Sequence, residues 1–298
     1  MTNDTKKYWI STNEAIPIKT RKILNEYLLS LKLANKAEST ISKYREFLER
    51  FCSECLVEFD SLTSEDVLKW VNEFSLGKKE STVIIVLSIL TSFFKFCLEE
   101  DYLDKTLMKK RWGPKMPQPL PKFLTEQEYA RVKMIAEQLP LRDRAIVLFL
   151  FSSGCRRSEV AQILIQDVDL KRRTVVVQGK GKKFREVHFS EECALIISDY
   201  LETRSGDISE PLFMTKYGKA LQPSRIYKIT TKLGKLAGLG KSLHPHCCRH
   251  TFATNMLARG AKLEFIADEM GHTNLNTTRV YARIPTEDIM LAYQNIMG

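Results

Sequence analysis

The stretch RWGPKMPQPLPKFLT, residues 111–125, holds prolines at 114, 117, 119 and 121. Proline lacks a backbone donor and fixes φ, so this density forbids a helix and favours an extended, semi-rigid strap. Lys109, Lys110, Arg111, Lys115 and Lys122 run through and beside it, a pattern suited to a linker lying along phosphates. It is the clearest boundary in the chain, and the sequences on its two sides read differently.

Upstream the periodicity is helical, with almost no strand signal. IPIKTRKILNEYLLS (16–30) spaces Ile16, Ile23, Leu24, Tyr27 and Leu28 at helical intervals. Ser39 or Thr40 reads as an N-cap for the next segment, whose Tyr44, Phe47, Leu48 and Phe51 share one face. Thr63 to Asp66 reads as a second cap with an acidic first turn. An apolar helix follows over about residues 81–99. The expectation is a compact four-helix domain over residues 16–110, a linker at 111–123 and a second domain at 124–298.

Downstream, a capped helix (TEQEYARVKMIAEQ) and a strongly apolar one (RDRAIVLFLF) stop at Ser152-Ser153-Gly154. TVVVQGKGKKFREVHF (174–189) places two β-type runs around Gly179-Lys180-Gly181, which predicts a hairpin with a basic tip. From about residue 223 the pattern returns to helix. The fold class expected is mainly α with a small antiparallel β-sheet.

The chain has 298 residues, enough for two domains that each bury a core. Its longest unbroken apolar run, VIIVL (83–87), continues only through interruptions at Ser88, Thr91, Ser92 and Lys95. That falls short of the ~20 residues that span a bilayer. The opening MTNDTKKYWIS lacks an apolar signal core. A cytoplasmic location is expected. Seven cysteines, irregularly spaced, argue against a disulfide framework. Cys52 and Cys55 make one CxxC without a second ligand pair, so helix-buried thiols rank above zinc there. The net charge of +10 is uneven, about +2 over residues 1–120 and +8 over 121–298. A polyanionic partner and a merely solvated basic surface both account for it.

Four short stretches carry chemistry. Lys180, Lys182, Lys183 and Arg185 gather at the hairpin; a solvated loop explains them, and so does a lysine reaching into a cleft as a proton donor. In SSGCRRSEV, Glu159 stands three residues beyond Arg156, where its carboxylate could hold that guanidinium in one pose. HPHCCRHTFATNMLARG (244–260) offers histidines and adjacent cysteines with poor spacing for a metal. A plain helix cap is one alternative. The other sets His246 and Arg249 on one face of a first helical turn, aimed at an anion. Finally, Gly271-His272 follows a helix, and Asn276, Thr277 and Thr278 read as a cap before a short helix carrying Tyr281. A lone tyrosine is more often core than catalyst.

In this order the stretches resemble the tyrosine recombinases, the phage-integrase family, and most of all its short Xer-type and transposon-encoded members. GCRRSEV matches the family's first arginine element with Arg156, and GKG matches the hairpin lysine with Lys180. HCCRH matches HxxR with His246 and Arg249, MGH supplies His272, and RVYARI supplies Tyr281. The resemblance covers about residues 16–298, and PLPKFLTEQE is similar to the family's domain junction. Ser153, Cys155 and Met270 depart from its commonest residues without touching a reacting group. With only about 15 residues before the first helix, no additional arm-binding domain is expected.

The resemblance implies an N-terminal four-helix SAM-like core-binding domain and a C-terminal α+β catalytic domain that close on double-stranded DNA. It implies site-specific recombination for DNA integration, excision, transposition or resolution. Tyr281 would attack in line to give a 3′-phosphotyrosyl enzyme, Arg156 and Arg249 would clamp the phosphate, and His272 would add a hydrogen bond. His246 would take the phenolic proton and Lys180 would protonate the leaving 5′ oxygen. No cofactor and no metal are expected, because the arginines supply the charge that Mg²⁺ supplies elsewhere. Lys182, Lys183, Arg185, Lys115 and Lys122 are expected to touch DNA. The working complex would be a homotetramer on two duplexes, joined by exchange of C-terminal tails and passing through a Holliday junction. An accessory protein or a second recombinase is a possible addition. Two rivals stand beside this reading: type IB topoisomerase-like relaxation, and a non-catalytic sequence-specific DNA-binding protein.

Overall fold

Thr63 and Thr125 each open a helix with a reciprocal cap: the threonine hydroxyl accepts the N–H three residues on, and that residue's carboxylate accepts the threonine N–H. Two orphan donors are satisfied at each start, so both boundaries fall where the sequence marks them. The computed structural model describes residues 7–283 apart from 56, 114–120, 180–182, 205 and 273. Lys115, Lys180 and Lys182, most of the proline strap and the C-terminal tail lie outside the described residues. The chain divides into two compact units, residues 1–118 and 119–298.

The first unit contains α1 (Ile18–Leu33), α2 (Glu38–Glu54), α3 (Ser64–Ser75) and α4 (Glu80–Glu99). The sequence reading needs correction at α2. It begins at Glu38 after Ala37, with no side-chain cap, so Ser39 and Thr40 lie inside its first turn rather than before it. Glu38 at the positive helix end compensates for the missing cap. The core joins Leu24, Tyr27 and Leu28 of α1 to Leu48 and Phe51 of α2, Trp70 of α3, and Phe93 and Phe94 of α4. Each large apolar side chain buried there contributes about 1.5–3 kcal/mol. Helix α4 is long and apolar enough to cross a membrane by length and composition. Its polar interruptions do not break it: Thr91 bonds back to the Leu87 carbonyl and Ser92 accepts from the Tyr27 hydroxyl. One face of α4 packs into this core through Val86, Leu90, Phe93, Phe94 and Cys97.

The second unit adds α5 (Glu126–Ala136), α6 (Leu141–Ser153) and the short α7 (Arg157–Val160). A three-stranded antiparallel sheet follows, β1 (Val168–Asp169), β2 (Thr174–Gln178) and β3 (Phe184–His188), in the order β1-β2-β3. Val175 pairs with Val187 and Val177 with Arg185. The hairpin is present as expected; β1, two residues long, is the strand the sequence reading missed. Helices α8 (Glu191–Glu202), α9 (Pro223–Leu236), α10 (Pro245–Ala258) and α11 (Leu263–Met270) complete the unit, and 3₁₀ turns span Leu275–Thr277 and Tyr281–Arg283. Helix α6 is its centre, buried from Ala145 to Phe151.

Gly154 ends α6 with φ +61°, and a Cβ there would lie 2.4 Å from the Phe252 ring of α10. The left-handed turn and the close approach both demand glycine. Together they bring the residues after α6 against α10, the helix that carries His246 and Arg249.

Candidate active site

Arg156, His246, Arg249, His272 and Tyr281 line one open cleft of about 980 Å³ in the second unit. They come from four places: the start of α7, the first turns of α10, the loop after α11 and the last described 3₁₀ turn. Lys180 lies outside the described residues, though its neighbours Gly179 and Lys183 line the same cleft.

Arg156 precedes α7, and its backbone N–H donates to Glu159 Oε2 at 2.7 Å while Nη1 donates to Oε1 at 2.8 Å. Its guanidinium also reaches the Met270 and Gly271 carbonyls at 3.4 and 3.3 Å. Glu159 therefore does what its spacing suggested. Burial alone would raise its pKa, but bonds from Arg185 and Arg156 outweigh that and hold it below the ordinary carboxylate value.

Arg249 is 4% exposed and donates to the Gly154 and Met270 carbonyls, each at 2.6 Å. Desolvation, with repulsion from Arg156, lowers its pKa to about 10, so it remains a cation at neutral pH. No carboxylate is hydrogen-bonded to it among the described residues. The site thus contains a nearly buried positive charge with no carboxylate bonded to it, Glu159 acting on it only at longer range. Such a charge is what a phosphate would complete.

His246 is exposed on the cleft wall. Its neighbour one turn on, His250, makes the bond that the sequence reading missed: Nδ1 lies 2.7 Å from the Tyr281 hydroxyl. His246 and His250 stand four apart on one helical face, and that spacing was the available signal. Tyr281 itself is 1% exposed, packed with Phe252, Ala253, Ile266 and Met270. Burial pushes its phenol up to about 12 against the pull of Arg249. His272 bonds Thr278 through Nδ1 at 2.8 Å. Of the expected cap residues, Asn276 and Thr277 lie inside a separate turn, Leu275–Thr277, which Asn274 caps by accepting from the Asn276 N–H.

His244, weighed in sequence as a ligand, is the N-cap of α10, its Nδ1 accepting from the Cys247 N–H. Cys247 and Cys248 are buried in the core, where desolvation raises both thiols. Among the supplementary basic residues, Lys122 and Lys183 are exposed. Arg185 turns inward onto Glu159.

Burial holds both His250 and His272 down to about 4, with nearby cations adding to it, whereas the ordinary value is 6.5. The folded state then binds fewer protons than the unfolded chain between those values. The stability these two histidines contribute is complete above pH 6.5 and is lost as pH falls toward 4. Urea unfolding midpoints of the full chain should drop across that window, and a His250→Asn/His272→Asn variant should flatten the drop. An unchanged slope in the double variant would show that other groups carry it.

The phage integrase family matches residues 122–287, more than half of the chain, and the phage integrase N-terminal SAM-like domain matches residues 24–101. The chain belongs to the phage integrase family. It is an enzyme related to the Xer tyrosine recombinases. It is 35% identical over 277 residues to tyrosine recombinase XerA of Pyrococcus horikoshii, covering 91% of this chain and 92% of that protein. It is 30% identical over 289 residues to XerC of Bacillus subtilis, covering 92% and 94%. Its fold is similar to that of XerH bound to palindromic difH substrate in a post-cleavage complex, with a TM-score of 0.76, 18% identity, and 97% and 92% of the two chains covered.

Proposed function

We propose that this chain is a site-specific DNA recombinase that cuts and rejoins double-stranded DNA through a 3′-phosphotyrosyl intermediate. The observation that carries the reading is the convergence of Arg156, His246, Arg249, His272 and Tyr281 on one cleft around a buried guanidinium bonded only to backbone carbonyls.

The chemistry follows from a phosphodiester. Its non-bridging oxygens gain charge as a fifth oxygen approaches phosphorus, and fixed donors aimed at that charge lower the barrier. Arg156 and Arg249 supply two guanidinium forks and His272 a further bond. The Tyr281 oxygen attacks, the P–O5′ bond breaks, and a tyrosyl phosphodiester on the 3′ strand replaces it. His246, on the cleft wall, takes the phenolic proton. Lys180 gives one to the departing 5′ oxygen. His250, which holds the phenol at 2.7 Å, keeps the nucleophile parked until DNA arrives. The covalent link conserves the energy of the broken bond, so a 5′-hydroxyl from a partner duplex reverses the step and generates a Holliday junction. Two duplexes and a homotetramer linked by C-terminal tails complete the cycle, acting on cytoplasmic DNA in integration, excision or resolution. Residues 16–110 and 124–298 serve as the core-binding and catalytic domains, with 111–123 as linker. Lys115, Lys122, Lys182 and Lys183 serve the DNA backbone.

The test is capture on nicked suicide DNA carrying the site, selected from a random-duplex library. The expected result is a protein–DNA adduct at the 3′ phosphate, mapped by mass spectrometry to Tyr281, followed by strand exchange between two duplexes. Relaxation of supercoils without exchange of partners would place the chain with the type IB topoisomerases. Binding without any adduct would make it a non-catalytic binder.

A further inference from the structure

Arg185 sits on β3 opposite Val177, one pair in from the connection between β2 and β3, and its side chain is 16% exposed. A basic residue there would ordinarily face the DNA backbone. Instead Nη1 and Nη2 donate to the two oxygens of Glu159 at 3.0 and 2.9 Å, and Nε donates to the Glu269 carbonyl at 3.1 Å. Glu159, 2% exposed, thus accepts from two arginines at once, with Arg156 Nη1 on the same Oε1 that Arg185 Nη1 uses. Gly271 closes over the Arg185 guanidinium so tightly that a Cβ would lie 2.8 Å from its central carbon. The next residue is His272. One side chain therefore bolts together the hairpin, the Arg156 turn and the His272 turn.

Charge gives the bolt its meaning. A buried carboxylate bonded to Arg156 alone would neutralise it and draw its fork away from the cleft. Divided between two guanidinium groups, the same carboxylate leaves a net positive charge on the triad. We propose that Arg185 is a positioning residue that shares the Glu159 carboxylate with Arg156, so that Arg156 keeps its charge and its aim for the scissile phosphate. The bolt rests on the reading of Arg156 as a phosphate clamp.

The test compares Arg185→Met, Arg185→Lys and the double variant Arg185→Met/Glu159→Gln in the full chain. Three readouts are needed: the rate of adduct formation on nicked DNA at saturating protein, DNA affinity across a salt series, and thermal melting. Arg185→Met should slow the covalent step about 100-fold, as losing one aimed donor does elsewhere. Its DNA affinity and salt slope should fall no further than those of Arg156→Ala, because Arg185 acts only through Arg156. The double variant should regain at least about tenfold over the single one, since removing the carboxylate frees Arg156 again. A merely structural role predicts no such rescue. Arg185→Lys keeps the charge without the fork and should stay within about tenfold of the wild type; it carries the test if Arg185→Met melts early. A wild-type rate in Arg185→Met, or a double variant as slow as the single with both folded, would overturn the proposal. So would a salt slope lower than that of Arg156→Ala, which would make Arg185 a phosphate ligand in its own right. Arg156→Ala is run in parallel: normal adduct formation by that variant would remove the clamp itself, whatever Arg185 does.

Discussion

Tyr281→Phe is expected to abolish covalent attachment to DNA while leaving the fold and DNA binding almost untouched. The ring is 1% exposed and packed among Phe252, Ile266 and Met270, and phenylalanine keeps every one of those contacts. Only the hydroxyl and its bond to His250 are lost, a change of about 1 kcal/mol in stability. The part-buried His250 retains access to water as a replacement partner. Chemistry has no such substitute. Without an oxygen at this position no phosphotyrosyl bond can form, and nucleophile removal in enzymes of this kind of logic costs about 10⁵–10⁶ in rate. Gel shift, melting temperature and adduct yield on nicked DNA separate the three effects. An adduct formed at the wild-type rate by Tyr281→Phe would end the proposed mechanism, because another side chain would then be the nucleophile. A variant that neither binds nor melts normally would show that the tyrosine is a core residue first.

What the sequence makes legible here is local. The caps at Thr63 and Thr125 lie within four residues, and the β-branched run at 174–178 announces a strand by its composition. Arg156 and Glu159, three apart, can be paired by spacing alone. The strand β1 was illegible because two residues are too few to display a period. The start of α2 carries no capping side chain for the sequence to display, because an acidic residue at its first position serves instead. For contacts that span the fold, local spacing can name one partner but not the pair. Tyr281 meets His250 across 31 residues of chain, and Arg185 meets Glu159 across 26. A basic residue near a basic hairpin tip reads as a DNA contact until the fold shows it facing a buried carboxylate. The order of the motifs, rather than any one of them, pointed to the family.

Arg249→Met should lower the covalent step by about 10³-fold or more while changing the melting temperature by only a few degrees. A buried guanidinium usually stabilises through a carboxylate partner, and its removal then strands that partner at a cost of about 3–5 kcal/mol. Arg249 has backbone carbonyls instead, those of Gly154 and Met270. Burial lowers its pKa from the ordinary guanidinium range to about 10, so holding the charge in the folded state costs about 3 kcal/mol at neutral pH. Methionine relieves that cost and fills much of the same volume, while two carbonyls lose their donors at about 1–3 kcal/mol each. The two effects are of similar size and opposite sign, so stability hardly moves. Activity has no compensation, because the charge that burdens the folded protein is the charge a phosphate requires. The free protein is therefore strained toward its substrate: DNA should raise the melting temperature of the wild type more than that of Arg249→Met. Stability that rises as pH climbs past 10 in the wild type, and rises less in the variant, has the same origin. Equal stabilisation of both proteins by DNA, or unimpaired adduct formation by Arg249→Met, would show that the buried cation serves the fold and not the phosphate.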